Sequence, residues 1–155
     1  MKGKTKKLFK FIRTVSLPAI GKFVVAKKFR EGETVDDIKF AWTLGNYFKA
    51  NFLKKVEPAV PKIKLRERQL IVRARDSAII TKLGGKKQVE TTLGQFWEFL
   101  KTADQTRRYR RYIRDEEGVL WVVFGRWCDA GLYIGVLSFD DDPHVCGVGE
   151  RFLSR

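Results

Sequence analysis

The sequence holds few of the residues on which catalytic and metal-binding sites depend. Its 155 residues include one histidine and two cysteines, and they contain no G-x-S-x-G, P-loop or G-x-G-x-x-G pattern. Nucleophilic and nucleotide chemistry therefore have no motif to support them. A structural zinc ion needs four nitrogen or sulfur ligands, and the chain offers three, Cys128, His144 and Cys146. We predict neither a metal site nor a cofactor, and we interpret residues 140–142 as an acidic turn before Pro143.

No apolar run is long enough to cross a membrane. The longest uncharged apolar stretch, Leu132 to Phe139, is far shorter than the roughly 20 residues that a spanning helix needs. Cys128 and Cys146 can be free or paired. A chain of this length does not depend on that bond, so we favour free thiols in a reducing compartment, the cytoplasm or the inside of a virion or ribonucleoprotein particle. The basic leader is also typical of organelle transit peptides, which keeps organelle import as an alternative.

Acidic residues are missing from the first thirty positions. This segment has a formal charge of +10, out of +14 for the whole chain. A charge excess confined to an acid-free segment is typical of a surface that faces something anionic. We therefore divide the chain into a basic arm, residues 1–30, and a single α+β domain, residues 31–155.

Within the arm, apolar and basic residues alternate at helical spacing. Leu8, Phe11, Ile12 and Val15 share one side of the predicted turns, which indicates a short amphipathic helix that ends near Pro18. A first strand is predicted to follow it. The candidate nucleic-acid-binding residues of the arm are Lys4, Lys6, Lys7, Lys10 and Arg13.

Two helices are predicted in the domain. Apolar residues at three- and four-residue steps indicate one long helix over residues 35–57, with Thr34 as its N-cap. Its apolar positions occupy so much of the circumference that we expect it to be buried. Thr92 and Gln95 have the spacing of a capping box, which predicts a shorter helix over residues 92–102. The aromatic residues expected in the core of the long helix are Phe40, Trp42, Tyr47, Phe48 and Phe52.

The remaining apolar runs predict strands. Residues 78–83 and 88–91 indicate a hairpin around Gly84-Gly85, and residues 119–125 and 132–139 indicate a β-meander at the centre of a covered sheet. The predicted fold class is therefore α+β: an antiparallel sheet with one long buried helix, one shorter helix and a basic N-terminal arm.

A second basic block follows Pro61. In an extended strand its four cations share one side, with Ile63 and Leu65 on the other side. Residues two apart on a strand lie roughly 6.6 Å from each other, a spacing that suits a phosphate backbone. A solvated edge strand, protected from aggregation by its charges, is the alternative. The four cations are Lys62, Lys64, Arg66 and Arg68.

A third basic block has five arginines and two tyrosines within eight residues. Arginine grips phosphate and tyrosine stacks on bases, so the combination favours single-stranded nucleic acid. A helix and a strand are equally compatible with it. The alternative is an exposed element whose arginines pair with Glu98, Asp104 and Glu116. Its residues are Arg107, Arg108, Tyr109, Arg110, Arg111, Tyr112 and Arg114.

These blocks predict a non-enzymatic nucleic-acid-binding protein. It would bind the phosphate backbone of RNA or DNA without base specificity, inside a larger assembly such as a virion or ribonucleoprotein particle. One alternative is a protein-docking module, an inhibitor or a shell subunit, whose basic surface binds an acidic partner. Peripheral membrane contact through the N-terminal helix is less favoured. A third possibility is a metal-dependent nuclease that uses Glu67, Asp76, Glu90 and Lys82.

Overall fold

The computed structural model of the chain describes residues 7–139 and 145–155 and shows a sheet-dominated α+β fold. In chain order the elements are β1 (Phe9–Leu17), β2 (Phe23–Val24), α1 (Val25–Lys28), β3 (Thr34–Val35), β4 (Ile38–Lys39), α2 (Asn46–Phe52), β5 (Val56–Glu57), β6 (Ile63–Leu70), β7 (Ala74–Arg75), α3 (Asp76–Lys82), α4 (Lys86–Val89), α5 (Leu93–Leu100), β8 (Tyr109–Arg114), β9 (Leu120–Cys128), β10 (Gly131–Leu137), β11 (Val145–Cys146) and β12 (Arg151–Ser154).

Six of the strands form one sheet in the order β1-β6-β12-β8-β9-β10. Its neighbours are antiparallel except for β12 and β8, which run parallel. The short strand β12 therefore lies between two antiparallel groups, β1-β6 on one side and β8-β9-β10 on the other. The remaining short strands pair two by two, β11 with β7, β2 with β5, and β3 with β4.

Each face of this sheet carries its own apolar cluster, because successive strand residues point to opposite faces. Leu65 of β6 belongs to the larger cluster, which includes the buried residues of α5 and α2. Leu70 of the same strand belongs to the smaller cluster, which is covered by α3 and α4. We call these two sides the α5 face and the α3 face.

The shorter predicted helix is confirmed as α5, together with its capping box. The Thr92 side chain accepts a hydrogen bond from the Gln95 backbone N–H at 3.1 Å, and the Gln95 side chain accepts one from the Thr92 N–H at 2.9 Å. The buried carboxylate of Glu57 also accepts from the N–H groups of Leu93 and Gly94. These contacts satisfy donors that the first turn of a helix leaves unpaired.

The predicted β-meander is also confirmed, as β9 and β10 joined by a turn at residues 129–130. Its position differs from the prediction, because β10 is the last strand of the sheet. The outer edge of β10 is nevertheless covered. The backbone N–H groups of Ala41 and Gly45 donate to the carbonyls of Leu132 and Ile134, each at 2.9 Å.

The prediction of a long helix over residues 35–57 is wrong. Asp36 and Asp37 have φ of 48° and 69°, so they form a two-residue hairpin turn between β3 and β4, where the sequence predicted the first turn of the helix. The only helix in this range is α2. Phe40, Phe48 and Phe52 are core residues as predicted, but Trp42 is 80% exposed and Tyr47 is 65% exposed.

The amphipathic helix predicted in the basic arm is wrong as well, since residues 9–17 form β1, an edge strand of the main sheet. The register of β1 against β6 shifts between Phe11 and Arg13. Such a bulge adds one residue to the strand and breaks its two-residue alternation. The apolar residues Phe11, Ile12 and Val15 therefore appear at helical spacing although they belong to a strand.

The hairpin predicted around Gly84-Gly85 is replaced by the helices α3 and α4. Both glycines have positive φ, 104° and 106°, and they supply the sharp turn between the two helices. The strand predicted before residue 30 is reduced to β2, followed by the single turn of α1. Lys4, Lys6 and the acidic turn at 140–144 lie outside the described residues.

Two further predictions concern membrane spanning and the two cysteines. Within the described part of the chain, none of the helices is both long and apolar enough to cross a bilayer. Cys128 is exposed and Cys146 is buried, and both are free thiols.

Candidate nucleic-acid interface

Pairing of β1 with β6 brings the first two basic blocks side by side. Thr14 lies opposite Arg66 and Ser16 lies opposite Lys64 in the antiparallel register. Lys64, Arg66 and Arg68 alternate with the buried residues of the α5 face, so all three point towards the α3 face. The apolar cover of α3 and α4 lies over the Leu70 end of β6, which leaves the lysine and arginines at its border.

An open groove of about 460 Å³ lies at that border. Five of its eight lining residues are cations, and none of the eight side chains is a carboxylate. The cations come from the chain before β1, from β6, from the end of α3 and from the residue after β12. We call this site the basic groove; its cations are Lys7, Arg66, Arg68, Lys82 and Arg155.

Among the described residues, the cations of the basic groove have no acidic partner. Within residues 7–139 and 145–155, the ion pairs involve other lysines and arginines. Burial lowers the pKa of Arg68, and the positive charge of Arg66 lowers it further. Both effects disfavour the charged guanidinium, and a bound anion would offset them.

Hydrogen bonds orient two of these arginines without neutralising them. Arg68 Nη1 donates to Ser154 Oγ at 2.6 Å. Arg155 Nη1 donates to the backbone carbonyls of Lys87 and Glu90, each at 2.7 Å. The guanidinium groups are therefore held at fixed positions by neutral acceptors, an arrangement that keeps their charge available.

Lys10 and Arg13, the other predicted cations of the arm that the structure describes, point away from the basic groove. Arg13 lies on the α5 face, where its Nε is 2.7 Å from the Glu67 carboxylate. Lys10 lies opposite Gln69 and is exposed. Of the second block, Lys62 lines a neighbouring groove of about 290 Å³, which also contains Glu90 and which shares Arg155 with the basic groove.

The third basic block forms β8, and most of it is buried. Tyr109, Arg111 and Tyr112 are each 1% exposed, and Arg110 is 7% exposed. Arg107 lies 3.7 Å from Asp104, and Arg114 lies 2.8 Å from Glu90. Of the predicted residues of this block, Arg108 alone is both exposed and without an ion pair among the described residues.

Arg110 and Tyr112 are held by a buried carboxylate on the α3 face. Asp76, at the start of α3, accepts from Arg110 Nη1 at 3.1 Å and from the Tyr112 hydroxyl at 2.7 Å. Glu150 accepts from Arg110 Nη2 at 3.3 Å. Burial lowers the pKa of Arg110, but the surrounding negative charges, with Asp76 and Glu150 first among them, together outweigh it, and the net shift is upward. This part of the block is an internal ion-pair network.

Arg111 is enclosed by aromatic rings on the α5 face. Its guanidinium carbon lies 4.5 Å from the ring centre of Phe99, 5.3 Å from that of Phe96 and 5.5 Å from that of Tyr109. Nη1 donates to the carbonyls of Arg110 and Arg151. Burial lowers the pKa of Arg111 to about 10. Its side chain belongs to the core and does not reach the surface.

The three basic blocks thus do not meet on one surface. Asp76 begins α3 beside Arg110, whereas Lys82 ends α3 in the basic groove. Because seven helical residues span about 10 Å, the third block lies at the far end of the cover from the groove. Sequence analysis did not assign Lys82 or Arg155 to nucleic-acid binding, because only tertiary contacts bring them to Arg66 and Arg68.

The carboxylates considered for a nuclease lie apart from one another. Glu67 is buried on the α5 face with Arg13 and Arg151, Asp76 is buried on the α3 face, and Glu90 pairs with Arg114. Among residues 7–139 and 145–155, no group of acidic residues, cysteines and histidines is arranged to hold a metal ion.

Comparison of the chain with protein-family models, with curated proteins and with solved structures finds no match in any of the three.

Proposed function

We propose that this chain is a non-enzymatic nucleic-acid-binding protein that holds a phosphate backbone in the basic groove. The observation that supports this most strongly is the concentration of five cations in a groove whose lining side chains include no carboxylate. Guanidinium and ammonium groups bind phosphate oxygens by charge-assisted hydrogen bonds, and binding releases the counterions of the nucleic acid. The groove offers no pattern for reading base edges, so we propose backbone binding without sequence preference.

Salt dependence tests this proposal. For duplex DNA, log K falls with log salt concentration by about 0.9 for each phosphate that is neutralised. Arg66→Gln combined with Lys82→Gln removes two exposed cations of the basic groove. We expect weaker binding to every sequence tried, and a slope reduced by about 1.8.

A matched variant controls for net charge. Lys22→Gln combined with Lys27→Gln removes the same number of exposed charges near α1, which packs against α5 on the opposite face. This control should bind as the unmodified protein does. If the two double variants lost the same amount of nucleic-acid affinity, net charge and not the basic groove would determine binding.

We also propose that the protein works inside a larger assembly in a reducing compartment, such as the cytoplasm, a virion or a ribonucleoprotein particle. The two free thiols agree with this.

A protein-docking role has support of its own, because Trp42 and Tyr47 are 80% and 65% exposed, and exposed aromatic residues are enriched at protein interfaces. A pull-down with and without nuclease treatment separates the two roles. Partners that are lost on treatment indicate nucleic acid, and partners that are retained indicate protein docking.

A further inference from the structure

Two aromatic rings lie on the α3 face, beyond the cover of α3 and α4. Phe124 of β9 lies opposite Gly135 of β10, two residues from Val122, which belongs to the α3-face cluster. Tyr133 lies beside Phe124, with ring centres 6.0 Å apart and planes inclined by 42°. Neither ring belongs to an apolar cluster of the core. Phe124 instead lines an open groove of about 270 Å³.

A glycine lets the Phe124 ring lie on the sheet. A Cβ atom added to Gly135 would be 2.2 Å from Phe124 Cζ and within 2.9 Å of both Cε atoms. The far end of the ring therefore rests on the Gly135 backbone, with no side chain between them. The ring is fixed against the sheet on one side and borders the open groove on the other.

Two arginines flank the rings. The Arg126 guanidinium lies over the Tyr133 ring, with its carbon 5.6 Å from the ring centre. Arg108 and Arg126 both line the same groove as Phe124. Both arginines are exposed, and neither forms an ion pair in the part of the chain that the structure describes. We call Arg108, Phe124, Arg126 and Tyr133 the aromatic platform.

The carboxylate that borders the platform already has partners. Glu150 Oε1 accepts from Arg110 Nη2 at 3.3 Å, and its Oε2 accepts from the Gly147 N–H at 2.7 Å. The charge of Arg110 is in turn shared with Asp76. This internal pairing leaves Arg108 and Arg126 as the uncompensated charges of the described platform.

We propose that the aromatic platform binds the unpaired bases of single-stranded nucleic acid. This inference rests on the proposed function and deepens it. Aromatic rings on an open sheet stack with bases of any identity, and arginines hold the flanking phosphates. Bases inside a duplex are already stacked on each other, so the platform selects single strands whereas the basic groove accepts both forms. The ligand class is therefore RNA or DNA with exposed bases.

The test compares single-stranded and duplex probes on variants that remove the ring faces. Phe124→Leu combined with Tyr133→Leu keeps apolar side chains but abolishes stacking. Binding is measured with a thymidine dodecamer, a uridine dodecamer and a 12-base-pair duplex at fixed salt. We expect the double variant to lose on the order of tenfold in single-strand affinity for each ring removed, with duplex affinity unchanged.

A second tyrosine serves as the control. Tyr47 is exposed and stacks on Trp121, which packs against the α5-face cluster. Tyr47→Leu should leave both affinities unchanged. If the Phe124/Tyr133 double variant binds single strands as tightly as the unmodified protein does, the proposed platform is overturned. The proposed function would still stand if Arg66→Gln with Lys82→Gln weakened duplex binding. Failure of the unmodified protein to bind any probe would overturn both.

Photocrosslinking gives a readout that does not depend on the stability of a variant. A single-stranded oligonucleotide carrying 5-iodouracil is irradiated with the unmodified protein, and the adduct is mapped by mass spectrometry. Adducts on Phe124 or Tyr133 support the platform. Adducts found only on other residues overturn it.

Discussion

The guanidinium of Arg13 lies 2.7 Å from the carboxylate of Glu67, across the first two strands of the sheet. The Glu67 side chain has no exposed surface, and its second oxygen lies 3.4 Å from Arg151 Nη1. Arg111 is close enough to Glu67 for the carboxylate to favour its charged form. The buried negative charge of Glu67 therefore interacts favourably with three arginines, Arg13, Arg111 and Arg151.

Glu67→Gln should lower the free energy of unfolding by about 3 kcal/mol, because it leaves buried guanidinium groups without their counter-charge. The exposed Arg30–Glu33 pair, at 2.7 Å, provides a control. Glu33→Gln should cost less than about 1 kcal/mol. Urea unfolding at neutral pH measures both, and equal losses would contradict the assigned role of Glu67.

Tyr109 should make stability depend on alkaline pH. Its hydroxyl donates to the Asp104 carbonyl at 2.8 Å, and burial, with the charge of Glu67, raises the pKa of Tyr109 to about 12. The unfolded tyrosine loses its proton near pH 10, so the folded state binds the proton more tightly. The contribution of protonated Tyr109 to the free energy of unfolding is fully present below pH 10 and is lost as the pH rises from 10 to 12. At pH 11 the loss amounts to about 1.4 kcal/mol.

Tyr109→Phe isolates this effect from other groups that titrate in the same range. The unmodified protein should be the more stable of the two at pH 8, and the difference should shrink between pH 10 and pH 11. For Tyr47→Phe, at an exposed site, the difference in stability from the unmodified protein should stay the same across this pH range. A constant difference across the range would refute the effect of Tyr109.

Gly135→Ala should displace the Phe124 ring while the fold is retained. The added methyl group would meet the far end of a side chain, at 2.2 Å, and a side chain can rotate away. We expect a small change in melting temperature and a loss of single-strand affinity close to that of Phe124→Leu. Gly21→Ala, where no atom lies within 4 Å of the new carbon, should change neither quantity. Unaltered single-strand binding by Gly135→Ala would count against the platform.

Gly131→Ala should instead damage the fold. The residue has φ of +125°, and a Cβ atom would lie 2.6 Å from the Lys39 carbonyl oxygen and 2.8 Å from the Phe40 carbonyl carbon. Backbone atoms cannot rotate away as a ring can, and this φ is strained for any other residue. We expect a loss on the order of 3 kcal/mol, measured by urea unfolding. A loss as small as that of Gly21→Ala would show that the β10 edge adapts easily.

The sequence predicted an element correctly where that element is determined by contacts between residues close together in the chain. The Thr92/Gln95 capping box predicted α5, and dense apolar residues predicted β9 and β10. The bulge in β1 depends on pairing with β6, and its effect on spacing imitates a helix. The turn at Asp36-Asp37 was hidden because an aspartate after threonine is equally typical of a helix start.

The candidate site was predictable only in part, for a similar reason. Alternation in β6 placed Lys64, Arg66 and Arg68 on one side, as the strand shows. Composition alone could not reveal that Arg110 and Arg111 are buried, because their partners Asp76 and Phe99 are distant in sequence. Phe124 lies in the run 119–125, whose composition predicts a strand that is covered on both sides. The ring is instead half-buried, because it rests on Gly135 of the neighbouring strand and lies beyond the cover of α3.

The central position of β12 has a consequence for how the molecule assembles. Residues 151–154 join β6 to β8, so the two antiparallel groups remain separate until this late segment has been synthesised. Until then β6 and β8 each present an unpaired backbone edge that β12 covers in the finished sheet, a hazard for intermolecular pairing. Completion of the sheet by a segment so distant from β1 also implies slow folding. A ribosome-bound chain would therefore keep its two antiparallel groups apart until residues 151–154 have left the ribosome.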